Sequence, residues 1–232
     1  RSLPEPKVMA SSLRREIDAL RQVREQLGPE VPLIVLLYSP LSTANTLCDG
    51  RILDDLRSFS NDARAGLRTI TATTRAFALA CMQAGADGCM LSVQSALRGK
   101  LRARAGERRD LQRLDLEVLE ALPPDAIRVL FLEGEHPALD LAGRYPVQAV
   151  CWETWRGDPS MASARRQIRR GLMGGINPST FTSGSVADIR AQVQAAIDQT
   201  DGRGLVIAPT GPLPPRAREE LAAAVFSVIQ EV

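Results

Sequence analysis

The chain reads as an α/β protein built on a parallel sheet. Three observations predict this. Short apolar runs rich in Val, Ile and Leu recur along the 232 residues, and such runs are strands buried on both faces. Helix-length segments separate successive runs, and strand–helix alternation requires parallel strands joined by helical crossovers. No Pro/Gly linker or shift of composition interrupts the series, so residues 1–232 read as one domain. Two architectures satisfy the pattern: an open doubly wound sheet and a (β/α)8 barrel. About six βα units are visible, and because the chain starts on Arg1 rather than Met, further residues are expected upstream.

The elements follow in order. Residues 8–27 place Leu13, Ile17, Leu20, Val23 and Leu27 on one helical stripe. Ser11 or Ser12 is a candidate N-cap. Gly28-Pro29 ends the helix, since glycine suits a C-cap and proline cannot continue a helix. The first strand is VPLIVLLYSP (31–40), and ADGCMLSV (86–93), AIRVLFLE (126–133), VQAVCWE (147–153), RGLMGGI (170–176) and RGLVIAP (203–209) follow. Helices are expected over 63–83, 111–121, 136–143, 158–169, 186–200 and 216–231. Ser185 and Asp188 form a capping-box pattern before the fifth of these. Residues 97–113 stand apart: Arg98, Lys100, Arg102, Arg104, Arg108, Arg109 and Arg113 follow one another with no apolar stripe. That spacing predicts a basic excursion from the C-terminal end of the second strand, the end that carries the ligand in parallel α/β proteins. A plain solvated loop is the other reading.

Composition narrows the function classes. Apolar residues make up 44% of the chain, yet no run approaches the roughly 20 residues that span a bilayer. The first residues lack the apolar core of a secretory signal. Cys48, Cys81, Cys89 and Cys151 form no CxxC pair and His136 is the lone histidine, so no metal is expected. Scattered cysteines read as buried free thiols of a cytoplasmic protein. Net charge is only +2, and the basic run has neither interleaved aromatics nor an apolar face. Neither a nucleic-acid partner nor a membrane is expected. Nearly all basic residues are arginine, which reflects either a GC-rich genome or recognition of carboxylate or phosphate by bidentate guanidinium groups.

Function is sought where the strands end. Those positions hold Tyr38, Gln94, Glu133, Glu153, Asn177 and Thr210. Glu133 and Glu153 end neighbouring strands and are the candidate catalytic pair. They could share a proton, bind a metal or orient an arginine; equally, one of them pairs with a basic neighbour. Tyr38, Gln94, Asn177 and Thr210, with Arg98 and Arg102 of the basic run, are candidate substrate-binding residues. Gly174-Gly175 is not a phosphate loop, because the next helix starts some ten residues later, near Ser185. The pair reads as a strand end that something approaches closely.

VPLIVLLYSPLSTANTLCDG resembles the uroporphyrinogen decarboxylase family pattern "VPLIGFxGxPxTxxxYxxEG". ACMQAGADGCMLSVQSA is similar to the family's "AGAD" strand, and RVLFLEGEHPALDLAGRYPVQAVCWE to its next two strands. GLMGGINPSTFTSGSVADIRAQVQAAI resembles its "GN(L/I)DP" segment, and DGRGLVIAPTGPLPPRAREELAAAV its last strand, loop and helix. The ordered series runs from Arg1 to Val232. It implies a (β/α)8 TIM-barrel-like fold from which the amino-terminal portion is missing. It also implies cofactor-free decarboxylation of an acidic, porphyrinogen-type small molecule, as in porphyrin and haem biosynthesis, and a homodimer. The family's other chemistry, methyl transfer from a corrinoid to a thiol at zinc, and a non-catalytic barrel acting as a binding module are the alternatives. Pro40, Gly50, Gly85, Ala86, Asp87, Gly174, Asn177 and Pro178 match the family's pattern, with Glu153 in place of its usual aspartate. Thr46 replaces its tyrosine, Val93 and Gln94 its acidic-Ser pair, and Thr210 or Gly211 its histidine. Phe131-Leu132-Glu133 stands at the HxC of the methyltransferase branch.

Overall fold

A computed structural model describes residues 12–94 and 105–231. Arg98 and Arg102 lie outside the described residues. The chain divides into two compact units, Arg1–Val129 and Leu130–Val232.

In the first unit, α1 (Leu13–Leu27) leads to β1 (Ile34–Tyr38). Gly28 closes α1 as expected, with a positive φ and its N–H on the Arg24 carbonyl. Ser12 has helical backbone angles and makes no side-chain cap. No element is expected over 41–62, yet two helices stand there, α2 (Pro40–Leu47) and α3 (Ile52–Ser58), ahead of the expected α4 (Ser60–Gln83). The cause of α2 is local and clear. Ser39 caps it by accepting the Ser42 N–H, and Pro40 occupies its first turn, where no N–H is needed. Leu41, Ala44 and Ile52 then bury against Leu67 and Leu111.

β2 (Gly88–Gln94) pairs parallel with β1, from Ile34 opposite Gly88 to Tyr38 opposite Ser92. Ile17 and Leu20 of α1 pack on Cys81, Ala84 and Ala86 at its entry. Arg24 ties the same corner. It donates to the Gly85, Gly28 and Val31 carbonyls and to the Asp87 carboxylate, which in turn accepts the Leu33 N–H. α5 (Ala105–Glu120) starts earlier than its expected bound of 111. The second half of the supposed basic excursion is therefore helix, because Leu111 buries into the α2–α4 cluster. β3 (Ile127–Glu133) crosses the division between the units. Arg128 at its start donates to the carbonyls of Leu119, Leu122, Pro123, Pro124 and Ala126, which closes the end of α5.

In the second unit the helices expected over 136–143 and 158–169 are shorter than their sequence windows. The first is a 3₁₀ turn, Leu139–Arg144, which follows Pro137. The second is α6 (Met161–Arg165), capped by Ser160 through the Ser163 N–H. β4 (Ala149–Trp152), β5 (Gly171–Ile176) and β6 (Leu205–Pro209) run parallel, with Cys151 opposite Met173 and Gly175 opposite Ala208. A short α7 (Thr180–Ser183) precedes α8 (Val186–Asp198), and α9 (Glu219–Glu231) ends the described chain. The capping box of α8 is present in both directions between Ser185 and Asp188. Ile176, Phe181, Ile189, Val193, Leu221 and Val228 form the core between β5 and the last two helices. Within the first unit β1 neighbours β2, and within the second β4, β5 and β6 follow in chain order.

Candidate functional site

The strand ends of the second unit hold a connected polar cluster. β4 ends at Trp152, and Glu153 leads into a 3₁₀ turn, Thr154–Arg156. This tight turn folds Arg156 back onto Glu153. The Arg156 Nε–H donates to Glu153 Oε2 at 2.9 Å, and Nη2 reaches Oε1 at 3.4 Å. Nη1 reaches Glu135 Oε1, also at 3.4 Å. Glu153 is the sheltered member, with its side chain 18% exposed against 74% for Glu135. The guanidinium also lies over the Trp155 ring, 4.5 Å from its centroid. Trp155 in turn donates its Nε1–H to the Thr210 carbonyl at 3.4 Å.

Thr154 and Thr210 meet at Gly174. A Cβ placed on Gly174 would lie 2.8 Å from Thr210 Cγ2 and 3.0 Å from Thr154 Cγ2. On Gly175 it would lie 2.8 Å from the Ala196 Cβ of α8. The glycine pair does admit a close approach, and what approaches is protein: two threonine side chains and a helix. The Gly175 N–H is satisfied by Thr154 Oγ1 at 3.1 Å. Thr210 is buried, and among the described residues its Oγ1 has no hydrogen-bond partner.

The sequence-derived candidates divide as follows. Glu153 and Thr210 belong to the cluster. Glu133 ends β3, half-buried. Asn177 is turned into its own chain: its Oδ1 accepts the Ser179 N–H and hydroxyl, while its N–H donates to Gln192 Oε1. In the first unit, Gln94 donates its N–H to Ser42 Oγ and accepts from Asn45 Nδ2, beside the buried Ser39–Ser42 hydroxyl pair. Tyr38 is half-exposed on β1, in a groove shared with Leu47, Ile70 and Phe77. Glu135 is engaged with Arg156, and His136 is exposed. Among the described residues no three His, Cys, Asp or Glu side chains come together as a metal site. All four cysteines are free; burial pushes Cys81 up to about 11 and Cys89 and Cys151 up to about 12. Sequence reasoning missed Arg156 and Thr154. The only available signal was the Glu-x-x-Arg spacing at the end of a strand.

A family model described as uroporphyrinogen decarboxylase (URO-D) matches residues 1–232. Among solved structures, a methyltransferase from Methanosarcina mazei aligns with a TM-score of 0.75 at 21% identity, over 98% of this chain and 70% of that one. A putative vitamin-B12 independent methionine synthase from Listeria monocytogenes aligns with a TM-score of 0.58 at 15% identity, over 94% and 69%. At such identities the likeness shows the fold alone. No curated protein matches the chain. Among the described residues no helix is long and apolar enough to cross a membrane.

Proposed function

We propose, from the premise that the chain belongs to the uroporphyrinogen decarboxylase family, that it is part of a barrel enzyme that decarboxylates an acidic, porphyrinogen-type small molecule without a cofactor. One observation carries the reading: Arg156, held between Glu153 and Glu135 and stacked on Trp155 at the end of β4. A guanidinium has five N–H donors. Within the described residues three are engaged by the two glutamates, which leaves one on each terminal nitrogen for a substrate carboxylate. Glu153 fixes the direction of that fork.

The chemistry asks little more. A proton is added to the pyrrole carbon next to the one that bears the acetate arm. The bond to the carboxylate then breaks and carbon dioxide leaves, its bond pair forming an exocyclic methylene. That carbon takes up a proton to become the methyl group as the ring carbon gives its added proton back. Glu133, at the neighbouring strand end, is the group proposed to deliver the proton.

Methyl transfer from a corrinoid to a thiol is the second reading, in keeping with the name of the Methanosarcina mazei methyltransferase, whereas the Listeria monocytogenes neighbour is named as vitamin-B12 independent. The zinc thiolate of that branch does not fit the described residues. Among the described residues no three His, Cys, Asp or Glu side chains come together to hold that zinc. Incubation with uroporphyrinogen and chromatography of the products separates the readings. Stepwise loss of carboxyl groups is expected; methylation of a thiol by methylcobalamin, with uroporphyrinogen untouched, would replace the decarboxylase reading by the other.

A further inference from the structure

Buried hydroxyls are almost always hydrogen-bonded, and an orphan calls for a reason. Thr210 is 1% exposed, and among the described residues its Oγ1 is an orphan. Its surroundings explain the burial. Its methyl group faces Gly174 and Thr154. Its carbonyl is covered by the Trp155 indole, whose 3.4 Å contact is longer than an ordinary N–H···O bond. Trp155 itself is 40% exposed, on a three-residue 3₁₀ turn that ends at Gly157, a glycine with positive φ and open space around it. The cover is thus loosely fastened to what it covers. Arg156, stacked on the indole, keeps its two uncommitted N–H groups among the described residues. Its contact with the exposed Glu135 is long, and so an incoming anion can displace it.

We infer that Trp155 is a movable cover over a carboxylate subsite, in which the Thr210 hydroxyl and the Arg156 fork bind the ligand after the indole swings aside. The bound carboxylate takes the place of Glu135 on Nη1 and gives Thr210 Oγ1 the acceptor that the fold withholds. Glu153 stays on Nε throughout. A carboxylate matches the planar fork bidentately. A phosphate dianion would add more charge beside Glu153. The inference rests on the acidic-substrate reading above and assigns the residues that hold one of the substrate's carboxyl groups.

Intrinsic fluorescence tests it, because Trp155 is the exposed member of the chain's two tryptophans and Trp152 is buried. The probe is propane-1,2,3-tricarboxylate, titrated at constant ionic strength against inorganic phosphate. A saturable change is expected with the tricarboxylate in the wild type and in Thr210→Ser, and none in Trp155→Phe. Thr210→Val weakens it about tenfold, and Glu135→Gln strengthens it. The unliganded Thr210→Val protein keeps a Tm at or above that of the wild type, since a methyl group replaces an orphan hydroxyl. A change that survives Thr210→Val, equal binding of phosphate, or a Tm fall in Thr210→Val with unaltered binding overturns the inference. So does a wild type with no saturable change. Parallel measurement of uroporphyrinogen turnover keeps the two readings apart: turnover without a fluorescence response removes the cover and leaves the acidic substrate standing.

Discussion

At the scale of single residues, the fold shows where a change of a few atoms is felt. Gly88 enters β2 so close to the neighbouring strand that a Cβ would sit 2.0 Å from the Ile127 carbonyl oxygen. Gly88→Ala is expected to cost about 3 kcal/mol or more, by backbone displacement, measured by urea unfolding. The thiols give a second expectation. Cys48 is half-buried and the other three are buried, so a thiol reagent at pH 8 should label one site in the native protein and four after denaturation. The sequence is informative about such residues only when their role is local. Ser185 and Asp188 are legible as a cap, and Gly174-Gly175 as a crowded strand end. Thr210 is legible as a strand-end residue, but its orphan hydroxyl is not, because its neighbours come from two other elements, β5 and the 3₁₀ turn after β4. Arg156 escapes notice for the same reason: its partners are set by a 3₁₀ turn that hydrophobic periodicity does not mark.

At the scale of elements, the strands are the legible part. Five of the six apolar runs contain their strands and β2 runs one residue past its own, to Gln94, since burial on both faces writes an unbroken apolar string. Helices that depend on side-chain caps are less visible. α2 and α3 sit in a stretch without a strong stripe and exist because Ser39 and Pro40 start one turn and a few apolar residues bury. The cap of α8 yields a pH dependence. The Ser185 hydroxyl and backbone N–H hold the Asp188 carboxyl below its ordinary value of 3.8. A lowered folded-state value means that the carboxylate's contribution is full at neutral pH, and it fades as acid takes the pH below 3.8 and through the folded value. Ser185→Ala should lower Tm by about 2–4 °C at pH 7. The difference from wild type should shrink toward pH 3. An undiminished difference in acid would mean that the cap is not the cause.

At the scale of the whole molecule, the alternation of strand and helix specifies the class of fold, and the ordered motifs specify the family. Neither specifies the reaction, because one scaffold hosts several chemistries. The proposed reaction rests on the end of β4, where Glu153 holds Arg156. If that cluster is the substrate-binding centre, loss of the Glu153 charge must disorder the fork without unfolding a protein whose core lies elsewhere. The most direct measurement is the rate of uroporphyrinogen decarboxylation by wild type and Glu153→Gln, with circular dichroism to show that both are folded. A folded variant slowed about 100-fold or more is expected. A folded variant that decarboxylates at the wild-type rate would contradict it.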